Sequence, residues 1–168
     1  GIAGVILATA VGLYTGFLLA GAPGRALWNS ALLPVLFLTS GLVAAFSLLT
    51  LLQVFVPKAL QLDSDYSKDA TGRLLHLSRL CLIGLMALEI LLVVSHFIIT
   101  FTSSAAGHAV ITHLISGTEV LFMFLPFIIV VFSKNSVKAL GAAGLFGLIG
   151  VFSLRYTIVF GGEEFPNA

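Results

Sequence analysis

Residues Leu77–Phe101 read LSRLCLIGLMALEILLVVSHFIITF, and this stretch decides the fold. A hydrocarbon core is crossed by about 20 residues of α-helix, and this run is that long. It does not alternate, and strands of a membrane barrel are about half its length. Lipid cannot hydrogen-bond an open backbone, so an apolar segment of this length resolves as a helix.

Working outward, four more runs have the same character: Ile2–Ala20, Ser30–Val56, Ala109–Phe132 and Val137–Phe160. The expectation is an all-α polytopic transmembrane helix bundle of about five helices, one domain over 1–168. The links between runs are legible. Gly21–Arg25 is a short turn, and Pro57–His76 is the substantial loop, holding Lys58, Asp63, Asp65, Lys68, Asp69 and Arg73. Thr102–His108 is small and polar, Ser133–Lys138 is a basic turn, and a tail from Gly161 carries Glu163 and Glu164. Gly141, Gly144, Gly147 and Gly150 recur at spacing three, the pattern of a close helix contact.

Composition agrees. Apolar residues are 59% of the 168 and charged residues 9%, against roughly 25% charged in a soluble domain. Too few charges exist to coat a water-facing globule, so lipid is the solvent for most of the surface. A net charge of +1 gives no footprint for nucleic acid. Cys81 is the single cysteine, which excludes an internal disulfide or a cysteine-rich metal site. The chain opens Gly1-Ile2-Ala3-Gly4 without Met or a basic leader, unlike a signal peptide. It reads as the C-terminal part of a longer membrane protein.

Basic residues in short loops set orientation. Lys58, Lys68, Arg73, Lys134 and Lys138 lie in the second and fourth links, and Arg25 alone lies in the first. Loops 57–76 and 133–138 are expected in the cytoplasm, with the C-terminus outside.

Ionisable side chains in a bilayer are costly and mark function by default. They are Arg79, Glu89, His96, His113, Glu119 and Arg155. Glu89 and His96, seven apart, share one helix face about two turns apart. They fit either a proton route or a satisfied structural pair. Arg79, near a helix end, fits snorkelling to the interface. His96, His113, Arg155, Tyr156, Tyr14, Trp28 and Asn29 all fall toward the outer side, which suggests a pocket there. Glu89 and Glu119 would reach inward as proton carriers. Trp28 and Tyr156 equally suit an aromatic belt. His96 and His113 are the one pair at matching depth for bis-histidine haem, so a di-haem wire is excluded and a single haem is disfavoured.

Two stretches carry a resemblance. Gly12-Leu13-Tyr14-Thr15-Gly16-Phe17-Leu18-Leu19 precedes Leu27-Trp28-Asn29-Ser30-Ala31-Leu32-Leu33-Pro34, continuing to Leu42, and the chain closes on Leu154-Arg155-Tyr156-Thr157-Ile158-Val159-Phe160-Gly161-Gly162. Together these resemble the NrfD / polysulfide reductase membrane-subunit family. The resemblance implies a fold of eight to ten helices, of which this chain supplies the later part. It implies a quinone or menaquinone bound near the outer face of a bacterial or archaeal cytoplasmic membrane, and no haem or metal in this chain. Implied partners are a ferredoxin-like iron–sulfur subunit and a molybdopterin subunit or multihaem cytochrome c. Tyr14 matches the family's quinone-contacting tyrosine, with Trp28 and Asn29 beside it. Glu89, His96, His113, Glu119 and Arg155 would serve the protons.

The function so read is a quinol/quinone-interacting subunit of a respiratory oxidoreductase, catalytic only within its complex. A secondary transporter or ion-translocating bundle is the second reading, and a purely structural membrane anchor the third.

Overall fold

The computed structural model describes residues 2–22, 25, 27, 28, 30–55, 66–103, 107, 108, 111, 112, 119–133 and 136–164, with backbone alone at 55, 66–71, 119–123, 162 and 164. Its main elements are five helices: α1 (Ile2–Ala20), α2 (Leu33–Phe55), α3 (Tyr66–Ser103), α4 (Glu119–Phe132) and α5 (Val137–Glu164). Segments Ile2–Ala20, Leu33–Val54, Gly72–Ser103 and Val137–Gly161 are long and apolar enough to cross a membrane. The 14 described residues of α4 fall short of that length. Most of the apolar run ahead of it lies outside the described residues.

Local chemistry sets the helix ends. Pro34 sits in the first turn of α2, where its missing N–H costs nothing. Ser30 turns the chain into that helix by accepting from Leu32 N at 3.2 Å. Ser136 caps α5 by accepting from Ala139 N at 3.4 Å. Helix α3 starts at Tyr66, eleven residues before its apolar run, inside the stretch expected to be loop. Its 38 residues extend about 57 Å, well beyond a hydrocarbon core of about 30 Å. The apolar run marks where lipid begins, and the helix continues past it into the polar zone.

Helix α5 packs against α2 and α4, α2 also against α1 and α3, and α3 against α4. Glycines permit the close contacts. A Cβ on Gly16 would collide with the backbone of Leu33 and Pro34, and one on Gly12 would meet Leu38. The stripe on α5 works the same way against α2: Gly141 meets Val54, Gly144 meets Ser47 O and Leu51, and Gly147 meets Ser47 Oγ. Two apolar clusters fill the interior. Leu33, Leu36, Phe37, Val93, Leu154 and Ile158 form one; Val43, Leu82, Met86, Val130, Ala143 and Val151 form the other. Only Gly16 of α1 is buried, so its outer face offers Val5, Ile6, Val11, Phe17 and Leu18 to the surroundings. Such a face is stable in lipid or under another apolar surface.

The two ends of the bundle differ. At one end the Trp28 indole N–H donates to Ile158 O at 2.8 Å, and Arg25 donates to Glu163 O, tying the α1–α2 link to α5. At the other, Arg79 donates to Val130 O at 3.3 Å and Val131 O at 3.1 Å. These are orphan carbonyls at the C-terminus of α4, where a cation also suits the helix dipole. Arg79 thus clamps α3 to α4, a more specific role than snorkelling.

Candidate functional site

On α3, Ser78, Leu82, Met86, Glu89, Val93, His96 and Thr100 are all buried. Their intervals of three and four draw one seam along the helix. Four of the seven are polar. The seam faces α2 and α5, because Val93 packs with Leu36, Phe37 and Leu154, and Met86 with Val43 and Val151. From α2 come buried Thr39, Ser40, Ser47, Thr50 and Gln53, and from α5 Thr157. Ser78 and His96 are separated by about 27 Å of helix, close to the thickness of a hydrocarbon core. Polar groups therefore line the interior across most of the bundle.

Most of these groups are locally satisfied. Thr39 donates to Val35 O, Ser40 to Phe37 O and Thr50 to Phe46 O, each at 2.8–2.9 Å. Gln53 Nε2 donates to Ser78 Oγ at 3.1 Å, bridging α2 and α3 near the Arg79 end. Arg155 crosses from α5 to α2. Its Nε donates to Ser40 Oγ at 3.1 Å and its Nη2 to Phe37 O at 2.9 Å. Its guanidinium lies 5.3 Å from the Phe37 ring centroid. Gly41 leaves room for it, since a Cβ there would stand 3.3 Å from Nη2.

Ser47 Oγ and Gln53 Oε1 are buried without a hydrogen-bond partner, and so are atoms of the two ionisable residues Glu89 and His96. Glu89 is 5% exposed, and its Oε1 is buried with no hydrogen-bond partner. It lines a cavity of about 10 Å³ with Val43, Met86, Pro126, Gly147, Gly150, Val151 and Leu154. That volume is at the lower limit for one water. Glu89 and Arg155 act on each other electrostatically without a direct ion pair. His96 is 0% exposed, and neither ring nitrogen has a hydrogen-bond partner. The Leu27 backbone carbonyl stands beside its ring. Buried polar groups normally find partners, and leaving one without costs about 1–3 kcal/mol.

The other candidates read from the sequence fall elsewhere. Tyr14 is 63% exposed. It stands opposite the α2-facing Gly12 and Gly16, two residues from each, which turns it by about 200°. Trp28 is half-buried with its indole N–H already committed to Ile158. Asn29 and His113 lie outside the described residues, and Glu119 opens α4 with only its backbone described. Glu89, His96 and Arg155 are thus brought to one interior seam, and Tyr14 is not. Sequence reasoning missed Ser40, Ser47, Gln53 and Ser78. The seven-residue step from Ser40 to Ser47 was the available signal, the same step that singled out Glu89 and His96. Among the described residues there is no group of three or more His, Cys, Asp or Glu able to hold a metal ion.

A family model described as polysulphide reductase, NrfD, matches residues 1–167. A protein named NrfD homolog from Haemophilus influenzae is 27% identical over 94% of this chain and 50% of its own length. A selenate reductase subunit from Mesobacillus selenatarsenatis is 28% identical over 99% of this chain and 40% of its own. The chain thus spans half or less of the length of these relatives. No solved structure matches it. With a family match over nearly its whole length, and helices built to cross a membrane, the chain belongs to the NrfD family of polysulphide reductase proteins.

Proposed function

We propose that this chain forms part of the quinol/quinone-interacting membrane subunit of a respiratory oxidoreductase, and that its interior seam moves the protons of quinone turnover. Electrons would pass to or from an adjacent ferredoxin-like iron–sulfur subunit serving a molybdopterin subunit or a multihaem cytochrome c. Family membership and a relative named as a reductase subunit support the redox setting. One observation carries the proton role: Glu89 and His96 are enclosed on one α3 face, and they are the two ionisable residues among the buried groups that lack hydrogen-bond partners, Glu89 Oε1 and both His96 nitrogens beside Ser47 Oγ and Gln53 Oε1 of α2. A carboxyl and an imidazole are groups that can take up and release protons. Arg155, fixed by Ser40 and Phe37 O, sets the field around the Glu89 carboxyl. His113 and Glu119 remain in the proposal as further proton groups.

Tyr14 and Trp28 do not by themselves enclose a quinone head. Tyr14 offers a phenol on the open face of α1, and the Trp28 indole has no free N–H. Tyr14 would be one donor to a quinone carbonyl and Asn29 another. The second wall of the pocket would come from other parts of the protein. The basic loops would face the cytoplasm and the Trp28 end the outside.

The test is quinol-driven turnover of the complex in proteoliposomes, with proton release and quinone binding read separately. Glu89→Gln should cut proton release at least about tenfold while quinone still binds. Tyr14→Phe should lower quinol-dependent turnover with the complex intact. Normal turnover and proton release in both variants would sink the proposal.

A further inference from the structure

At the Arg79 end a cavity of about 310 Å³ opens between α3 and the start of α5, lined by Gly72, Leu75, His76, Arg79, Ser136, Val137 and Leu140. It shares no residue with the Glu89 seam. We propose that it binds the phosphate headgroup of an anionic phospholipid.

Three observations carry this. The first is depth. The apolar run of α3 begins at Leu77 and α5 begins at Val137, and the cavity's lining straddles both starts. Its mouth therefore lies where hydrocarbon gives way to headgroups. The second is charge. Gly72, His76 and Arg79 lie at steps of four and three, on one helix face. Two N–H groups of Arg79 are spent on Val130 and Val131 carbonyls, and three of its five remain. Among the described residues Arg79 has no carboxylate partner. Ser136 adds a hydroxyl, and the amides of the α5 first turn bring the positive end of that helix. Lys138 is exposed one residue further on. Asp69, with its side chain outside the described residues, is the acidic residue closest in sequence. The third is the floor: Leu75, Val137 and Leu140 are apolar, which suits the glycerol and first acyl carbons of a lipid and not a hydrated ion. Basic pockets between membrane helices are a known setting for acidic headgroups.

The test uses purified protein and native mass spectrometry with phosphatidylglycerol and phosphatidylcholine of identical chains. Phosphatidylglycerol should be retained at least about fivefold better, the gain expected of one well-placed basic side chain. Arg79→Gln should erase that preference. Because Arg79 also clamps α4, Gly72→Leu is the second variant. Nothing lies within 4 Å of a Cβ at Gly72, so the new side chain fills the mouth without disturbing packing. It should cut retention of phosphatidylglycerol about as much, while Arg25→Gln at the opposite end leaves it unchanged. Equal retention of the two lipids, or full retention in Gly72→Leu, would overturn the site. Inorganic phosphate that binds alone and displaces the lipid would make it a small-anion site and overturn the lipid assignment.

Discussion

Arg155→Met removes a side chain that ties α5 to α2 through charged hydrogen bonds and balances Glu89. Two contacts disappear, to Ser40 Oγ and to Phe37 O. In water each would be worth about 1.5–3 kcal/mol. Between membrane helices measured values are smaller, about 0.6 and at most about 1.7 kcal/mol. Phe37 O keeps the Ser40 hydroxyl as a donor, so no acceptor is orphaned. The direct loss is therefore about 1–3 kcal/mol. Glu89 then stands buried with neither a hydrogen-bond partner for Oε1 nor an opposing charge, which adds to the cost. The expected total is about 2–4 kcal/mol. Glu89→Gln made together with Arg155→Met should recover at least about 1 kcal/mol relative to the sum of the single changes, because the two side chains are coupled. Unfolding by dodecyl sulfate in mixed micelles measures this. Trp28 is the only tryptophan of the 168 residues and sits on Ile158, one turn from Arg155, so its emission reports the contact. Additivity of the two substitutions within about 0.5 kcal/mol would refute the coupling, and with it the role of Arg155 as a counter-charge.

Gly16→Leu should cost about 1–3 kcal/mol and loosen α1 from α2, because a Cβ there meets the backbone of Leu33 and Pro34, which cannot rotate away; accelerated proteolysis of the α1–α2 link checks it. Trp28→Phe keeps the ring in its apolar cluster but loses the bond to Ile158 O, an expected destabilisation of about 1 kcal/mol in the same unfolding assay. Gln53→Leu should change stability by less than about 1 kcal/mol, since the lost bond to Ser78 is offset by removing the unpartnered Gln53 Oε1; a large loss would mean that Gln53 has a further partner.

The apolar runs announced helices because lipid admits little else, and the α1, α2 and α5 runs end close to where their helices end. The start of α3 was not legible. Hydropathy registers the solvent around a helix, and residues 66–76 remain helical after leaving the apolar zone. The seven-residue step placed Glu89 and His96 together, since a periodic face survives folding unchanged. Partners across the bundle did not show: Arg155 reaches Ser40 over 115 residues of sequence, and Arg79 reaches Val130 over 51. The exposure of Tyr14 follows from helix spacing. Gly12 and Gly16 mark the face of α1 that touches α2, and Tyr14 lies midway between them in sequence, hence on the opposite side.

A proton role for the seam turns on which buried groups are left unsatisfied. Serines and threonines in membrane helices can return their hydroxyls to the carbonyl one turn earlier, and here Thr39, Thr50, Ser95 and Thr102 do so. These residues fill small gaps at little energetic cost and need no functional reason. Ser47 Oγ, Glu89 Oε1 and both nitrogens of His96 have no such return, and of these residues only Glu89 and His96 exchange protons near neutral pH. A leucine at either position would pack the same seam without the cost of an unpartnered polar group, and its neighbours on the seam, Leu82, Met86 and Val93, show that apolar side chains fit there. Stability alone therefore favours replacing His96, and favours Glu89 only through its attraction to Arg155. Substituting His96→Leu should raise resistance to unfolding or leave it unchanged while quinol-driven proton release is lost, whereas Glu89→Leu also forfeits the attraction to Arg155 and should lose proton release at a cost of no more than about 1–2 kcal/mol. If instead both substitutions destabilise the bundle by several kcal/mol and proton release persists in the folded fraction, the two groups are structural and the seam is not a proton route.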